Sequence, residues 1–428
     1  MARVGAWMAL VMMVAMAAMA ASTASAAAPD WPQWRGLARD GKSPDTGLAQ
    51  EWPEGGPPLA WKATGIGKGY SSVAVTGGKI YTMGDRQGSE YVICLDLANQ
   101  KELWATKIGQ PWGDGGPRCT PTVDGDLVYA ISPHGDLLCV EAASGKEVWR
   151  KKFDNDFGGK MMSGWAYSES PLVDGEKLVC TPGGKDAVIV ALNKKTGETI
   201  WKCAMPDIGS RGNFGAGYSS IVISEAGGVR QYVTLIGKGL IGAAAKDGKF
   251  LWGYNKVANG TANITTPIVS GDYVFDSSGY GTGAALLKLL ADGSGGIKAE
   301  EVYFLDANTF QNHHGGLILV GDSLYAGHGH NAGLPKCVEF KTGKIVWQAD
   351  KAPGGGSAAV TFADGNLYFR YESGLMALVA ATPEGYKLKS TFKIPVKTGP
   401  SWPHTTIQDR KLFIRDNDAL MCYDIAKK

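Results

Sequence analysis

The sequence holds 428 residues, too many for one ordinary hydrophobic core, which stops growing near roughly 250–300 residues; several domains or a repeat array must share the chain. Glycine contributes 60 residues beside 13 Trp, 16 Tyr and 12 Phe, which excludes a disordered chain, poor in aromatics, and a collagen-like one, bound to a strict three-residue period. With 43 basic against 41 acidic side chains and no basic stripe, nucleic acid is excluded as a partner and steering by net charge is weak.

From the N-terminus, residues 1–26 have the layout of a secretory leader. Arg3 forms a minimal positive region, Val4 to Ala21 an apolar stretch, and Ala24-Ser25-Ala26 a small-x-small cleavage box. An apolar run of that length almost spans a bilayer, so retention as an anchor is the alternative. The cleavage box and the Ala-rich run argue for removal. No twin arginine precedes the run and no cysteine follows it at the cleavage site. The expected product is exported, periplasmic or secreted, without stable membrane insertion after cleavage. Residues 27–58 then form an N-terminal segment that leads into a repeat array over 59–428.

The repeat is a Val-rich strand, a Gly-containing turn, two further strands, a Gly-centred turn and a last strand carrying Trp. Cys119 to Trp149 shows it completely. Other copies end on Trp104, Trp201, Trp252 and Trp347, and two degenerate copies offer Tyr303 or Phe304, and Phe392, in that place. Turns such as Val-Asp-Gly-Asp (123–126) and Ala-Asp-Gly-Asn (363–366) are hairpin chemistry, with Gly supplying positive φ. Eight strand sets begin near Tyr70, Cys119, Ser168, Tyr218, Asn263, His314, Ser357 and His404. The last set ends without its Trp strand, while Leu59-Ala60-Trp61-Lys62 matches one. An N-terminal strand around Trp61 that completes the last sheet closes the ring and removes exposed edges. The expected fold is all-β: an eight-bladed β-propeller of four-stranded antiparallel blades.

Seven cysteines in an exported chain raise the question of disulfides, but Cys94, Cys139, Cys337 and Cys422 fall at one equivalent strand position in different repeats. They read as small core residues. No CxxC, CxxCH or adjacent Cys pair occurs.

The Gly-x-x-x-Trp spacing after Asp96, Glu141, Asn193 or Glu339, together with Trp31-Pro32-Gln33-Trp34-Arg35-Gly36, resembles the repeat of pyrroloquinoline-quinone-like (PQQ-like) propellers. That resemblance covers nearly all of the chain beyond the leader. The family includes quinoprotein dehydrogenases and non-enzymatic scaffolds, of which BamB-like outer-membrane assembly factors are the best known. A dehydrogenase of this kind implies a quinone stacked on a vicinal disulfide and a Trp, with a calcium held by acidic and amide side chains. The vicinal pair is missing, and no catalytic residue carries over by motif. The sequence also has no GxSxG elbow, HExxH or phosphate-binding loop.

Long connections between repeats gather on one rim and mark a binding face. Tyr70, Arg118, Trp165, Tyr218, Asn263 and His404 are the ligand-binding candidates at this channel mouth; loops packing on one another are the structural alternative. Four of the six histidines fall in one repeat. Continuing its first hairpin outward puts His313, His328 and His330 on one sheet face and His314 on the other. The three could hold zinc or copper or serve as a polar network. The leading expectation is a non-catalytic scaffold or binding module of the cell envelope without a cofactor, taking an envelope protein or small ligand at the long-loop face. The alternative is a propeller enzyme using PQQ with calcium, or a histidine-bound metal.

Overall fold

The computed structural model describes residues 30–428, and the expected leader lies outside them. Eight four-stranded antiparallel sheets follow one another around a ring. In seven of them the strands run in sequence order from the innermost outward, as in Thr122–Asp124, Leu127–Ile131, Asp136–Glu141 and Glu147–Lys152 of blade 2. Among the described residues helix is limited to Phe153–Phe157 and a single 3-10 turn at Ala226–Gly228. No helix among the described residues is long and apolar enough to cross a membrane.

The eighth sheet closes the ring. Its inner three strands are Thr406–Gln408, Lys411–Asp416 and Ala419–Asp424, and its outermost is Leu59–Ala63. Leu59–Ala63 carries the same irregularity as every other outermost strand. In blade 1, Leu95 opposes Glu102 and Cys94 opposes Trp104, so Leu103 is one extra residue. In blade 8, Leu59 opposes Tyr423 and Trp61 opposes Cys422, so Ala60 is extra. Such a bulge turns the extra side chain out of the ladder, and Leu103, Val148, Ile200, Val302 and Val346 are accordingly exposed.

The same register explains the cysteines. Cys94, Cys139, Cys337 and Cys422 oppose Trp104, Trp149, Trp347 and Trp61. An indole on the outer strand needs a small neighbour across the ladder, and Ala191 and Gly242 fill that place opposite Trp201 and Trp252. All seven thiols are free and buried. The degenerate copies resolve on this register. Tyr303 takes the Trp position in blade 5. In blade 7 it is Ser390, not Phe392, that sits there.

Residues 31–52 lie across the end of the channel where the short hairpin turns gather. Trp31 bridges Val75 of blade 1, and the Pro32 carbonyl accepts from the Val123 N–H of blade 2. Arg39 donates to the Ser170 and Pro171 carbonyls of blade 3, and Trp34 to Thr266 of blade 5. Arg35 reaches Leu317 of blade 6, Ser43 pairs with Phe362 of blade 7, and Asp45 accepts from the Arg410 N–H of blade 8. The segment therefore spans the channel, and its buried arginines satisfy inner-strand carbonyls that face no neighbouring strand.

Candidate functional site

A cavity of about 330 Å³ lies between that segment and the long loops. Trp34 and Arg35 line it from the segment; Tyr70, Arg118, Ser168, Tyr218 and His404 come from chain just ahead of the inner strands. Trp165 and Trp402 come from long connections, and Tyr280 from the short turn between Tyr273–Ser278 and Gly283–Ala291. Seven of the eight blades, all but the seventh, deliver residues mainly by the same route: the chain crosses the rim and turns down into the innermost strand, so residues before that strand face the channel. Trp165 is 39% exposed and stands at the rim.

Aromatic rings pair around the wall. Tyr70 and Trp402 meet at 4.6 Å between centroids, Trp34 and His404 at 4.5 Å, and Tyr280 and His330 at 4.2 Å. The Tyr218 hydroxyl pairs with the Ser163 hydroxyl at 2.7 Å and accepts from the Trp165 N–H at 3.2 Å. The Arg118 guanidinium lies 5.5 Å from the Tyr70 ring centroid, a cation–π distance. Five of the six expected ligand-binding residues thus line one cavity. Asn263 does not. It is fully buried, donates to the Ile236 and Gly237 carbonyls at 3.0 and 3.1 Å and accepts from the Asn259 N–H at 3.0 Å. A buried amide with backbone partners on both ends is a brace for the neighbouring blade's loop. Trp34, Arg35 and His314 line the cavity as well, although the sequence pattern does not mark them as ligand-binding residues. The Trp-Arg pair in the N-terminal WPQWRG run was the available signal for two of them.

The histidines do not converge as the register argument expects. The hairpin turn is Gly321-Asp322, with Val320 opposite Ser323, but the ladder reaches back only to Ile318 opposite Tyr325. Gly316 at φ +74° separates His313 and His314 from the inner strand, and Gly329 at φ +84° separates His330 from His328, the last residue of the strand Ser323–His328. Alternation along a strand therefore stops applying. His313 and His330 do meet, at 4.3 Å between rings. His328 instead turns toward Phe310 and accepts from the Gln311 N–H at 3.2 Å. His314, expected on the opposite face, lies beside His313 at 4.5 Å and lines the cavity with it.

The ring nitrogens of His313 are held by the Tyr280 hydroxyl at 3.0 Å and the Ser357 hydroxyl at 2.8 Å. Among the described residues no group of three or more His, Cys, Asp or Glu is placed to hold a metal, so the residues do not fit a three-histidine zinc or copper centre. Nor do they fit a calcium–quinone pair. Calcium takes carboxylate and carbonyl oxygens, and no carboxylate lines the cavity. Asp276, behind Thr265, is fully buried and pushed up to about 8 by desolvation, so at neutral pH it is largely an uncharged acid.

Burial also keeps the histidines neutral. Desolvation lowers His313 to about 2 and His314 and His404 to about 3. The cavity's charge comes from Arg35 and Arg118. Both are lowered by the same desolvation, Arg35 to about 10, and both remain protonated at neutral pH.

The sequence model of the family described as "Outer membrane protein assembly factor BamB" matches residues 88–349. The outer membrane protein assembly factor BamB of Shewanella oneidensis is 24% identical over 262 residues, covering 57% of this chain and 60% of that relative. The matched region thus spans about three fifths of the curated relative's length. The structure of BamB from Moraxella catarrhalis superposes with a TM-score of 0.61 at 11% identity, over 86% of this chain and 99% of that one. The quinohemoprotein alcohol dehydrogenase of Comamonas testosteroni gives 0.64 at 14% identity, over 94% and 81%. At such identities the two superpositions establish the propeller architecture and nothing narrower. The repeat register, the eight closed blades and the family match over most of the ring together place the chain in the PQQ-like propeller family described as outer membrane protein assembly factor BamB.

Proposed function

We propose that this protein is an exported, non-catalytic scaffold that docks another envelope protein on its long-loop face. The observation that carries the reading is the match to the assembly-factor family, whose named relatives are outer-membrane assembly factors. The asymmetry of the ring supports the choice of face. One channel end is covered by the protein's own N-terminal segment, whereas the other presents long connections with an exposed Trp165. Large aromatic side chains at a rim are the residues that anchor protein interfaces.

The test is site-directed photocrosslinking in the native envelope. A photoreactive residue at Trp165 or Trp112, on the long loops, is expected to give a discrete adduct with an envelope protein, and one at Asp126, in a short hairpin turn, none. Equal labelling from both faces, or none from the loops, would overturn the reading. Added calcium and pyrroloquinoline quinone should yield neither a bound chromophore nor dye reduction with alcohols; stoichiometric binding with turnover would replace the scaffold by an oxidoreductase.

A further inference from the structure

Away from the cavity, at the long-loop end of the contact between blades 1 and 2, three acids come together. Lys79–Arg86 and Ser89–Asp96 pair with Asp85 directly opposite Glu90, and Glu90 opposes Gly109 on the next strand. Opposed side chains share one face, with Cβ atoms roughly 4.5–5.5 Å apart. Gly109 leaves that face bare: a Cβ there would sit 2.9 Å from Oδ2 of Asp136 in blade 2. Asp136 is occupied by Lys152 at 2.9 Å and Ser132 at 2.8 Å. Asp85 and Glu90 are not so provided. Glu90 is 0% exposed, and both its carboxylate oxygens and Oδ1 of Asp85 are buried without a hydrogen-bond donor. A carboxylate in that state is far less stable than the acid. One proton on Glu90 removes its charge and turns it into a donor, with the unpaired Oδ1 of Asp85 as the acceptor across the ladder.

We propose that Asp85 and Glu90 share one proton, and that the shared pair latches the Trp112 loop to blade 1. The latch itself is Oδ2 of Asp85, which accepts from the Trp112 N–H at 2.8 Å. Beyond it the chain turns through residues 113–116, where the Gly116 N–H closes on the Trp112 carbonyl at 3.2 Å, and the Trp112 ring meets His134 of blade 2 at 5.3 Å. The groups around the pair set its proton count. Desolvation raises Glu90 to about 9, with Asp85 and Asp136 adding to the shift and Arg118 opposing it. Desolvation also raises Asp85 to about 6, against the Trp112 N–H, His134, Arg415 and Lys68. Between those values the pair carries one proton and one negative charge, and the charge strengthens the bond from the Trp112 N–H. When the loop lifts, water reaches both acids and their pKa values fall toward about 4. The closed loop therefore holds a proton that the open loop releases, and closure weakens as pH rises toward about 9. A divalent cation is the rival occupant of these oxygens, but no group of three or more His, Cys, Asp or Glu among the described residues is placed to hold one. The consequence for docking rests on the reading of the long-loop face as the docking surface: a rise in pH loosens a Trp-bearing loop of that face.

The experiment is hydrogen exchange of the Trp112 amide, the donor in the latch, in the full-length exported protein, read by NMR and corrected for intrinsic exchange. Between about pH 6.5 and 8.5 its opening constant should rise about tenfold per pH unit, the coupling of one proton, and then level off. Glu90→Gln keeps a donor for Asp85 that never titrates, so its opening should be flat over the same range, with an unchanged melting curve. Asp136→Asn removes a charge that raises Glu90, so its opening should level off at a lower pH than that of the wild type. Infrared difference spectra at neutral pH should show a protonated carboxyl band in the wild type that Glu90→Gln lacks. No pH slope in the wild type, a slope that survives in Glu90→Gln, an unchanged carboxyl band, or a loop whose closure follows added calcium and its chelation would each overturn the proposal. The amide measurement needs no partner and crosslinking to an envelope protein is scored separately, so either proposal can fall without the other.

Discussion

Blade 1 meets blade 2 through residues close in sequence. The Trp104 indole is buried, donates to the Ala142 carbonyl at 3.1 Å and lies against Gly145, where an added Cβ would sit 2.6 Å from the ring. Gly197 on Trp149 and Gly248 on Trp201 repeat that joint. Blade 7 meets blade 8 differently. Its outer strand offers Ser390, whose hydroxyl accepts from the Trp52 N–H at 2.8 Å, and the Trp52 ring rests 5.8 Å from Tyr368. Trp104 lies 6.0 Å from the equivalent Tyr81. A Trp lent by the N-terminal segment therefore stands in for the one the repeat lacks. Buried arginines complete this seam: Arg370 reaches the Pro403 carbonyl and Asp416 of blade 8, and Arg415 of blade 8 reaches Ser71, Thr82 and Gly67 ahead of or within blade 1. Six joints are built locally and apolar; the closing ones depend on distant chain and on polar ties. Closing a long loop costs entropy before its contacts form, so the seam is where the ring should open first.

The largest effect that separates the two kinds of joint is removal of the segment itself. A variant lacking residues 27–62 loses the Leu59–Ala63 strand, Trp52, and the arginines that span the channel. It should lose more than the about 3–5 kcal/mol of one buried aromatic and show no cooperative melt by circular dichroism. A melt close to that of the wild type would mean that the seam is held by blades 7 and 8 alone.

Next come the single indoles. Trp104→Ala and Trp52→Ala should each cost about 3–5 kcal/mol in denaturant titration, because both rings are buried. Trp61→Ala should cost clearly less, since Trp61 is only half-buried. Equal losses at Trp61 and Trp104 would erase the distinction between seam and joint. Smaller again is Gly145→Ala. Overpacking against Trp104 at a φ of +71° should cost about 1–3 kcal/mol, and the double variant Gly145→Ala, Trp104→Phe should recover part of it.

The same contrast explains what was legible in the sequence. Blade number, closure by Trp61 and the Cys positions are properties of a tandem pattern, repeated often enough that one residue's environment predicts the next. Phe392 misled because its blade solves the Trp position with Trp52, 338 residues from Ser390, and no periodicity reports a loan across the ring. The histidine face failed for a related reason. Alternation holds only inside a ladder: the inner strand Ile318–Val320 starts after His313 and His314, and the strand Ser323–His328 ends at His328, short of His330. Of the cavity, the residues just ahead of inner strands were legible because the repeat delivers them; Arg35 and Trp34 were not, because their place depends on the segment folding under the ring. Asn263 has the right position, but its amide is already taken by the neighbouring blade's backbone.

Acid should find the seam before it finds the joints. His404 lies ahead of the inner strand of blade 8. Its ring nitrogen Nε2 pairs with the His314 carbonyl of blade 6 at 2.9 Å, and its own carbonyl accepts from Ser72 ahead of blade 1. Desolvation lowers its pKa from 6.5 to about 3, with Arg35 adding to the shift. A histidine depressed in the folded state is neutral there while the unfolded chain takes up a proton below about pH 6.5. Its stabilising contribution is therefore complete above that pH and declines as pH falls toward 3. His314 behaves in the same way. The unfolding free energy from urea titrations should thus fall steadily between pH 6.5 and 4, and His404→Gln should flatten that slope by about one proton. Hydrogen exchange adds location. On acidification, amides of Lys411–Asp416 and Ala419–Asp424 should lose protection before those of Leu127–Ile131, which lie at the local joint. Loss at one pH throughout the ring would show that the seam and the joints open as a single unit, and that the polar ties at blade 8 are no weaker than the indole joints they replace.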